Sequence, residues 1–144
     1  MNILFFLKPK GDIAFIYSDF TLRQALEKMK HYGYTAIPVL DRTGKYVATL
    51  SEGDLLWAIL GLEAYDDRTR EDYFVKDIIK GRYYAPVNVN AVIEDLLLVA
   101  MNQNFVPVTD DRELFIGIVT RRDILQYYYD KKLEEEKEQL ISSG

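Results

Sequence analysis

The sequence predicts an α/β (α+β) protein in which one structural unit occurs twice. Short apolar runs typical of strands alternate with amphipathic stretches at helical spacing, in the order strand, helix, strand, strand, helix. The same order returns in the second half, where Pro107 lies 69 residues after Pro38 and Asp123 lies 69 residues after Asp54. Equal spacing at two separate landmarks indicates an internal repeat.

The first repeat contains an amphipathic helix followed by a hairpin. Thr21 and Gln24 form a capping-box pattern at the start of this helix, and Gly33 supplies its stop. Two apolar runs follow at residues 36–40 and 46–50. The turn residues between these runs predict a β-hairpin.

Each repeat is expected to close with a second helix. Ser51 and Asp54 form the capping pattern of the first such helix, and Gly61 is its predicted end. Short extended stretches at 13–17 and 83–89 are expected to precede the two units. The other predicted elements of the second unit are a helix at 93–103, strands at 105–109 and 114–119, and a helix that opens after Thr120.

The repeat divides the chain into four predicted parts. They are an N-terminal segment with the first repeat at 1–62, a polar linker with a short helix at 63–79, the second repeat at 80–130 and a C-terminal helix extension at 131–144. A unit of this size cannot bury its sheet face alone, so the two units should pack about a pseudo-twofold axis with equivalent clefts between them. The extension contains helix formers of mixed charge, which predicts a solvated helix or a docking helix for a partner.

Composition and charge argue against several classes of function. The formal net charge of -5 disfavours a nucleic-acid or anionic-membrane surface, since both partners attract positive charge. The absence of cysteine excludes disulfides and thiolate sites. The apolar runs are too short for a signal sequence or a membrane helix, so we expect a soluble, cytoplasmic protein. Neither His31 nor the carboxylates show a catalytic or metal-binding pattern, so no catalytic or metal site is expected.

Two segments carry a resemblance to a known family. The first reads GYTAIPVLDRTGKYVATLSEGDLL at residues 33–56, and the second reads NFVPVTDDRELFIGIVTRRDIL at residues 104–125. Together they resemble the CBS domain pair, also called the Bateman module. More narrowly, they are similar to small stand-alone bacterial CBS pairs, some of which bind cyclic di-AMP.

The resemblance implies tandem CBS repeats, each β-α-β-β-α, with a regulatory role and no catalysis. Because the clefts of such pairs can bind adenine nucleotides, AMP, ATP or cyclic di-AMP is the expected regulatory ligand, and no cofactor is required. The resemblance also implies a homodimer that signals occupancy to a protein partner. A ligand-free module for structural or protein-interaction purposes is the alternative.

The start of the last helix suits a phosphate group. Backbone N–H groups at a helix N-terminus attract anions, and Thr120 adds a hydroxyl. Arg121 and Arg122 add planar cations that can pair with phosphate, while Asp123 is an acceptor suited to ribose hydroxyls. For these four residues, a simple helix cap and exposed surface charge are the alternatives.

The base is expected to lie against flat apolar walls of the same cleft. By resemblance, the wall of the first repeat faces the Thr120 corner of the second. Pro38 lacks an N–H and is therefore placed at a strand end beside the cleft, whereas Tyr34 could instead pack in the core. The candidate wall residues are Ala14, Phe15, Ile16, Tyr34, Thr35, Ala36 and Pro38.

The pseudo-symmetric cleft is predicted to be weak or vacant. Glu52 and Gly53 stand where the other repeat has its two arginines, and a carboxylate there should repel a phosphate. Ala48 also replaces a glycine that is usual in the family. The candidate residues of this cleft are Tyr84, Ala85, Phe105, Val106, Pro107, Ser51 and Asp54.

Two further features allow alternative interpretations. Lys8 and Lys10 could supply extra positive charge near a phosphate, or they could belong to an exposed N-terminal segment. Trp57 and the tyrosines at 127–129 are expected to pack internally or to contact a second copy of the chain. A nucleic-acid stacking surface is disfavoured because no broad basic surface accompanies these rings.

Overall fold

The computed structural model describes residues 2–61, 73–79 and 84–143. The strands are β1 (Lys8–Pro9), β2 (Ile16–Tyr17), β3 (Ala36–Leu40), β4 (Tyr46–Ser51), β5 (Val87–Asn88), β6 (Phe105–Thr109) and β7 (Phe115–Thr120). The helices are α1 (Leu22–Tyr32), α2 (Glu52–Leu60), α3 (Val75–Ile78), α4 (Ile93–Ala100) and α5 (Arg121–Ser143). Short 3₁₀ turns at Ile3–Phe6 and Lys10–Asp12 flank β1. The predicted α/β (α+β) class and the β-α-β-β-α order of both repeats are confirmed.

Each repeat contributes one mixed sheet. In the first sheet, β3 lies between β2, which is parallel to it, and β4, which is antiparallel. In the second sheet, β6 lies between β5 and β7 in the same way. The N-terminal strand β1 pairs with the free edge of β7 and so gives the second sheet a fourth strand. The first residues of the chain therefore belong to the sheet of the second repeat.

The helices of the first repeat begin and end where the capping patterns predict. Thr21 and Gln24 form a reciprocal capping box at the start of α1. Gly33 follows this helix in the left-handed conformation, with φ of 67°, which a residue with a side chain adopts at greater cost. Ser51 and Asp54 form the corresponding box of α2, which stops one residue before the predicted glycine.

Three apolar clusters hold the elements together. The first lies between α1, α2 and the first sheet, and the second lies between α4, α5 and the second sheet. The third joins the two sheets, and its buried members are Leu40, Phe105, Phe115 and Ile118. The two repeats are therefore packed against each other through apolar side chains, as their size requires.

The two hairpins meet at a point that relates the repeats by symmetry. Lys45 and Leu114, which are 69 residues apart, form an isolated antiparallel bridge. Because each of them immediately precedes the second strand of its hairpin, equivalent positions of the two repeats pair with each other. This pairing places the pseudo-twofold axis at the bridge.

Several predicted boundaries differ from the structure. Helix α4 ends at Ala100 instead of 103, and β7 spans 115–120 instead of 114–119. Pro38 was expected at a strand end, but it is buried within β3 opposite Thr49. It is tolerated there because β2 pairs with β3 only from Val39 onward, so the proline precedes that ladder.

Of the predicted linker and short helix at 63–79, residues 63–72 lie outside the described residues and α3 lies at Val75–Ile78, and the division of the chain into four parts stays a prediction. Within the described ranges, none of the helices combines the length and the apolar character that crossing a membrane requires.

Candidate functional site

A cleft of about 410 Å³ lies between the two repeats, and we call it the open cleft. The first repeat contributes Ala14 and the residues that lead into β3. The second repeat contributes Asn104 and Phe105 at the start of β6, together with Thr120 at the end of β7. The cleft is therefore completed only when the two repeats pack together.

Six of the predicted nucleotide-binding residues line this cleft. They are Ala14, Tyr34, Thr35, Ala36, Pro38 and Thr120. Ile16 instead lies fully buried in the first core, and Phe15 packs between the ammonium groups of Lys10 and Lys28, 5.1 and 5.4 Å from its ring centre. Neither residue is among those that line the open cleft.

Tyr34 was predicted either to line the cleft or to pack in the core, and in the structure it does both. Its ring packs against the first core, and it also lines the open cleft. Its hydroxyl oxygen accepts a long hydrogen bond, 3.4 Å, from the backbone N–H of Ala14. Since so long a bond is weak, a ligand acceptor can compete for this N–H at low cost.

The start of α5 forms the polar corner of the open cleft. The Thr120 hydroxyl accepts from the backbone N–H of Asp123 at 3.2 Å and caps the helix. The carboxylate of Asp123 makes no hydrogen bond to any residue that the structure describes. At the equivalent corner of the first repeat, the carboxylate of Asp54 accepts from the backbone N–H of Ser51 at 2.9 Å. The Asp123 carboxylate, three residues after the cleft-lining Thr120, is thus unengaged within the described residues, whereas that of Asp54 is engaged.

The two arginines differ in their surroundings, although the sequence suggested that both could grip a phosphate. Arg121 directs its Nε toward the carbonyl oxygens of Ala100 and Gln103, at 2.8 Å each, and so closes the C-terminal end of α4. Arg122 is exposed and forms no ion pair with the described residues. Both line a separate groove of about 530 Å³ that adjoins the open cleft at Asn104.

The pseudo-symmetric position is occupied by the protein's own polar groups. The buried amide of Gln103 accepts from the backbone N–H of Ala85 at 2.7 Å and donates to the Ala85 carbonyl oxygen at 3.3 Å. The hydroxyl of Tyr46 donates to the carbonyl oxygen of Tyr84 at 2.8 Å. The N–H of Ala85 is therefore held by a shorter hydrogen bond than the N–H of Ala14 in the open cleft, whose bond to Tyr34 is 3.4 Å.

Other residues predicted for the second cleft also lie elsewhere. Phe105 lines the open cleft, and Val106 is fully buried in the second core. Pro107 is buried within β6. The alternation of side chains along a strand separates Phe105 from Val106, because neighbouring residues point to opposite faces of a sheet.

Sequence reasoning assigned no definite site role to several residues that line the open cleft. Lys8 and Asp12 come from the N-terminal segment, and Ile118 comes from the second repeat. The sequence showed the charge of Lys8 but not its position, since pairing between β1 and β7 is a contact between distant parts of the chain.

Displaced pKa values occur at Asp19 and Asp41 in the first repeat and at Tyr128 on α5. Hydrogen bonds from Arg42 lower the pKa of Asp19, and a hydrogen bond from Thr43 lowers that of Asp41. Burial raises the pKa of Tyr128, whose hydroxyl has no hydrogen-bond partner among the described residues. Among those same residues, no group of three or more histidine, aspartate or glutamate side chains is placed to hold a metal ion.

The sequence is similar to those of several characterised proteins, among them a receptor and a dehydrogenase. Cyclic di-AMP receptor B of Bacillus subtilis is 29% identical over 126 residues, covering 84% of this chain and 82% of the receptor. Inosine-5'-monophosphate dehydrogenase of Methanocaldococcus jannaschii is 28% identical over 117 residues, but these cover 80% of this chain and only 21% of the dehydrogenase. The chain thus spans about a fifth of that relative.

The fold is shared with a solved ligand complex. The structure of CbpB from Listeria monocytogenes in complex with c-di-AMP superposes with a TM-score of 0.77 at 28% identity, covering 90% of this chain and 96% of that one. The family model for the CBS domain matches residues 8–61 and 75–130, one match for each repeat. The resemblance stated from the sequence is confirmed, and the chain belongs to the CBS domain family as a tandem CBS pair.

Proposed function

We propose that this protein is a regulatory module, without catalytic activity, that binds an adenine nucleotide in the open cleft. The observation that carries the proposal is that the cleft combines a base-sized apolar wall from one repeat with a helix N-terminus from the other. AMP, ATP and cyclic di-AMP are the candidate ligands. Cyclic di-AMP is favoured among them, because the chain is similar to cyclic di-AMP receptor B of Bacillus subtilis and to the Listeria CbpB complex with c-di-AMP.

Each of the three parts of the nucleotide, the base, the phosphate and the ribose, has its own contact residues in this proposal. The adenine lies along Ala36 and Pro38, with its polar edge at the backbone of Ala14. A phosphate lies at Thr120, where the positive end of the α5 dipole favours an anion. The ribose lies between them, with Asp123 as the acceptor for its hydroxyl groups.

Signalling follows from the position of the cleft between the repeats. A bound nucleotide contacts both repeats, so it stabilises the relative orientation that binds it better. It can shift the population only by its difference in affinity for the two orientations. We expect a homodimer to pass this change to a protein partner, and the exposed Leu56, Trp57 and Leu60 on α2 are the expected contact surface.

A thermal-shift panel with AMP, ADP, ATP and cyclic di-AMP, followed by calorimetry, tests the proposal. A ligand present at about 100 times its Kd should stabilise the protein by about 2.7 kcal/mol. For a chain of this length the melting temperature should therefore rise by roughly 5 to 10 °C. No shift with any nucleotide, and no heat of binding, would favour the alternative of a ligand-free interaction module.

The matched variants Asp123→Ala and Asp54→Ala locate the site. Asp123→Ala should weaken nucleotide binding about tenfold, because it removes a charged acceptor for the ribose. Asp54→Ala should leave affinity unchanged and lower only the stability of the fold, since Asp54 completes a helix cap. Equal effects of the two variants on affinity would contradict this placement.

A further inference from the structure

The open cleft contains a cation that neither α5 nor the hairpins supply. Lys8 lies in β1 and lines the cleft. It is opposite Ile118 in the antiparallel pairing of β1 with β7. Directly opposed residues of an antiparallel pair share one face of the sheet, and so does Thr120, two residues after Ile118. The side chain of Lys8 therefore projects from the same face as the phosphate corner of the proposed site.

Gly117 allows β1 to pack closely against β7. A Cβ atom at Gly117 would overlap the carbonyl oxygen of Lys8, so a larger residue there would force β1 away. The equivalent residue of the first repeat is Ala48, 69 residues earlier, and the first sheet has only three strands among the described residues. The pseudo-symmetric cleft consequently receives no cation by this route.

Lys8 also differs from the other cations near the cleft, since Arg122, which likewise forms no ion pair with the described residues, lines the adjoining groove and not the open cleft. Arg121 is bonded to backbone carbonyl oxygens, and Lys10 and Lys28 lie over the ring of Phe15. Lys8 forms no ion pair within the described ranges, so its ammonium group keeps its donors for a ligand. Asp12 is the other charged side chain that lines the cleft, and its carboxylate disfavours an anion beside it.

We propose that Lys8 pairs with a phosphate group of the nucleotide and makes the open cleft selective for phosphorylated adenosine compounds over adenosine itself. This inference rests on the proposed function and adds to it the residue that reads the phosphate charge. A hydrogen bond between an ammonium group and a phosphate is charge-assisted and therefore stronger than one between neutral groups. Neutral adenosine offers Lys8 no such partner.

Calorimetric titration of Lys8→Met, Lys8→Glu and Lys10→Met with AMP, cyclic di-AMP and adenosine tests this role. Lys8→Met keeps most of the aliphatic length and should weaken both phosphorylated ligands about tenfold, with adenosine unaffected. Lys8→Glu should weaken them further, because it adds a negative charge. Lys10→Met makes the same change of charge two residues away and should bind all three ligands as the wild type does.

The outcomes separate this inference from the proposed function. Unchanged AMP and cyclic di-AMP affinity in Lys8→Met would overturn the role of Lys8 and leave nucleotide binding intact. An equal loss for adenosine would also overturn it, because that result would mean a general disturbance of the cleft. A wild-type chain that binds none of the three ligands would overturn the proposed function together with this inference. Melting curves of each variant establish that β1 remains in place.

Discussion

The sequence suggested that Arg121 binds a ligand phosphate, but in the structure its side chain bonds backbone carbonyl oxygens. Its Nε closes the end of α4 through the carbonyl oxygens of Ala100 and Gln103. Carbonyl groups at a helix C-terminus have no partners within the helix, so a cationic donor there is stabilising. The neighbouring Arg122 has no comparable partner among the described residues and is the freer cation of the two.

Alanine substitution should separate these two residues. Arg121→Ala should lower the free energy of unfolding by about 1 to 3 kcal/mol, because two partly buried carbonyl oxygens lose their donor. Arg122→Ala should change it by no more than about 0.5 kcal/mol, as exposed substitutions usually do. Urea denaturation of both variants measures the difference, and equal stabilities would show that the Arg121 contacts contribute nothing.

At the scale of elements, a charged contact ties the hairpin turn of the first repeat to the segment before α1. The Nε and Nη2 atoms of Arg42 donate hydrogen bonds to the two carboxylate oxygens of Asp19, at 2.7 and 2.9 Å. The guanidinium carbon of Arg42 lies 4.0 Å from the ring centre of Tyr17. These hydrogen bonds lower the pKa of Asp19 from its ordinary value of 3.8. The folded state therefore favours the ionised carboxylate.

The sign of this pKa shift predicts how stability depends on pH. A carboxyl group with a lowered folded-state pKa stabilises the fold above its unfolded value of 3.8, and this contribution is lost as the pH falls through the folded value. Asp19→Asn should therefore be less stable than the wild type at pH 7. The difference should disappear at acidic pH below 3.8, where the wild-type carboxyl becomes protonated. Urea unfolding of both proteins from pH 7 to acidic pH measures it, and a difference independent of pH would contradict the prediction.

At the scale of the whole molecule, the pseudo-twofold axis relates two equivalent positions that differ in the groups around them. Among the described residues, β1 adds a strand to the second sheet and not to the first, and Gln103 bonds the N–H of Ala85 at 2.7 Å where Tyr34 bonds that of Ala14 at 3.4 Å. The asymmetry therefore comes from one additional strand and a few polar side chains. We expect one nucleotide to bind per chain.

The second half of α5 stands apart from this packed body. Every residue from Tyr129 to Ser143 is exposed, and the helix contributes Ile124 as its fully buried side chain. Removal of residues 133–144 should therefore shift the melting temperature by no more than about 2 °C and leave nucleotide affinity unchanged. Melting curves and titrations of the shortened chain test this. A larger loss of stability would indicate that a second copy covers the helix in solution.

Local signals in the sequence determined the elements and their duplication. Capping pairs such as Thr21 with Gln24 act over three residues, and the spacing of the repeat was visible from Pro38 and Pro107, so both could be predicted without tertiary contacts. Most of the open cleft's first-repeat wall was predicted in the same way, through the resemblance of residues 33–56. The helix caps depend on interactions between residues close in sequence, and the repeat and the cleft wall were visible as patterns in the amino-acid sequence.

Only the tertiary structure decided which polar groups remain available to a ligand. The sequence presents Asp54 and Asp123 alike, as it does Arg121 and Arg122, but their hydrogen-bond partners differ once the chain is folded. The position of Lys8 likewise depends on pairing with a strand more than 100 residues away. Such contacts arise from the packing of distant segments, and the linear spacing of residues does not encode them directly.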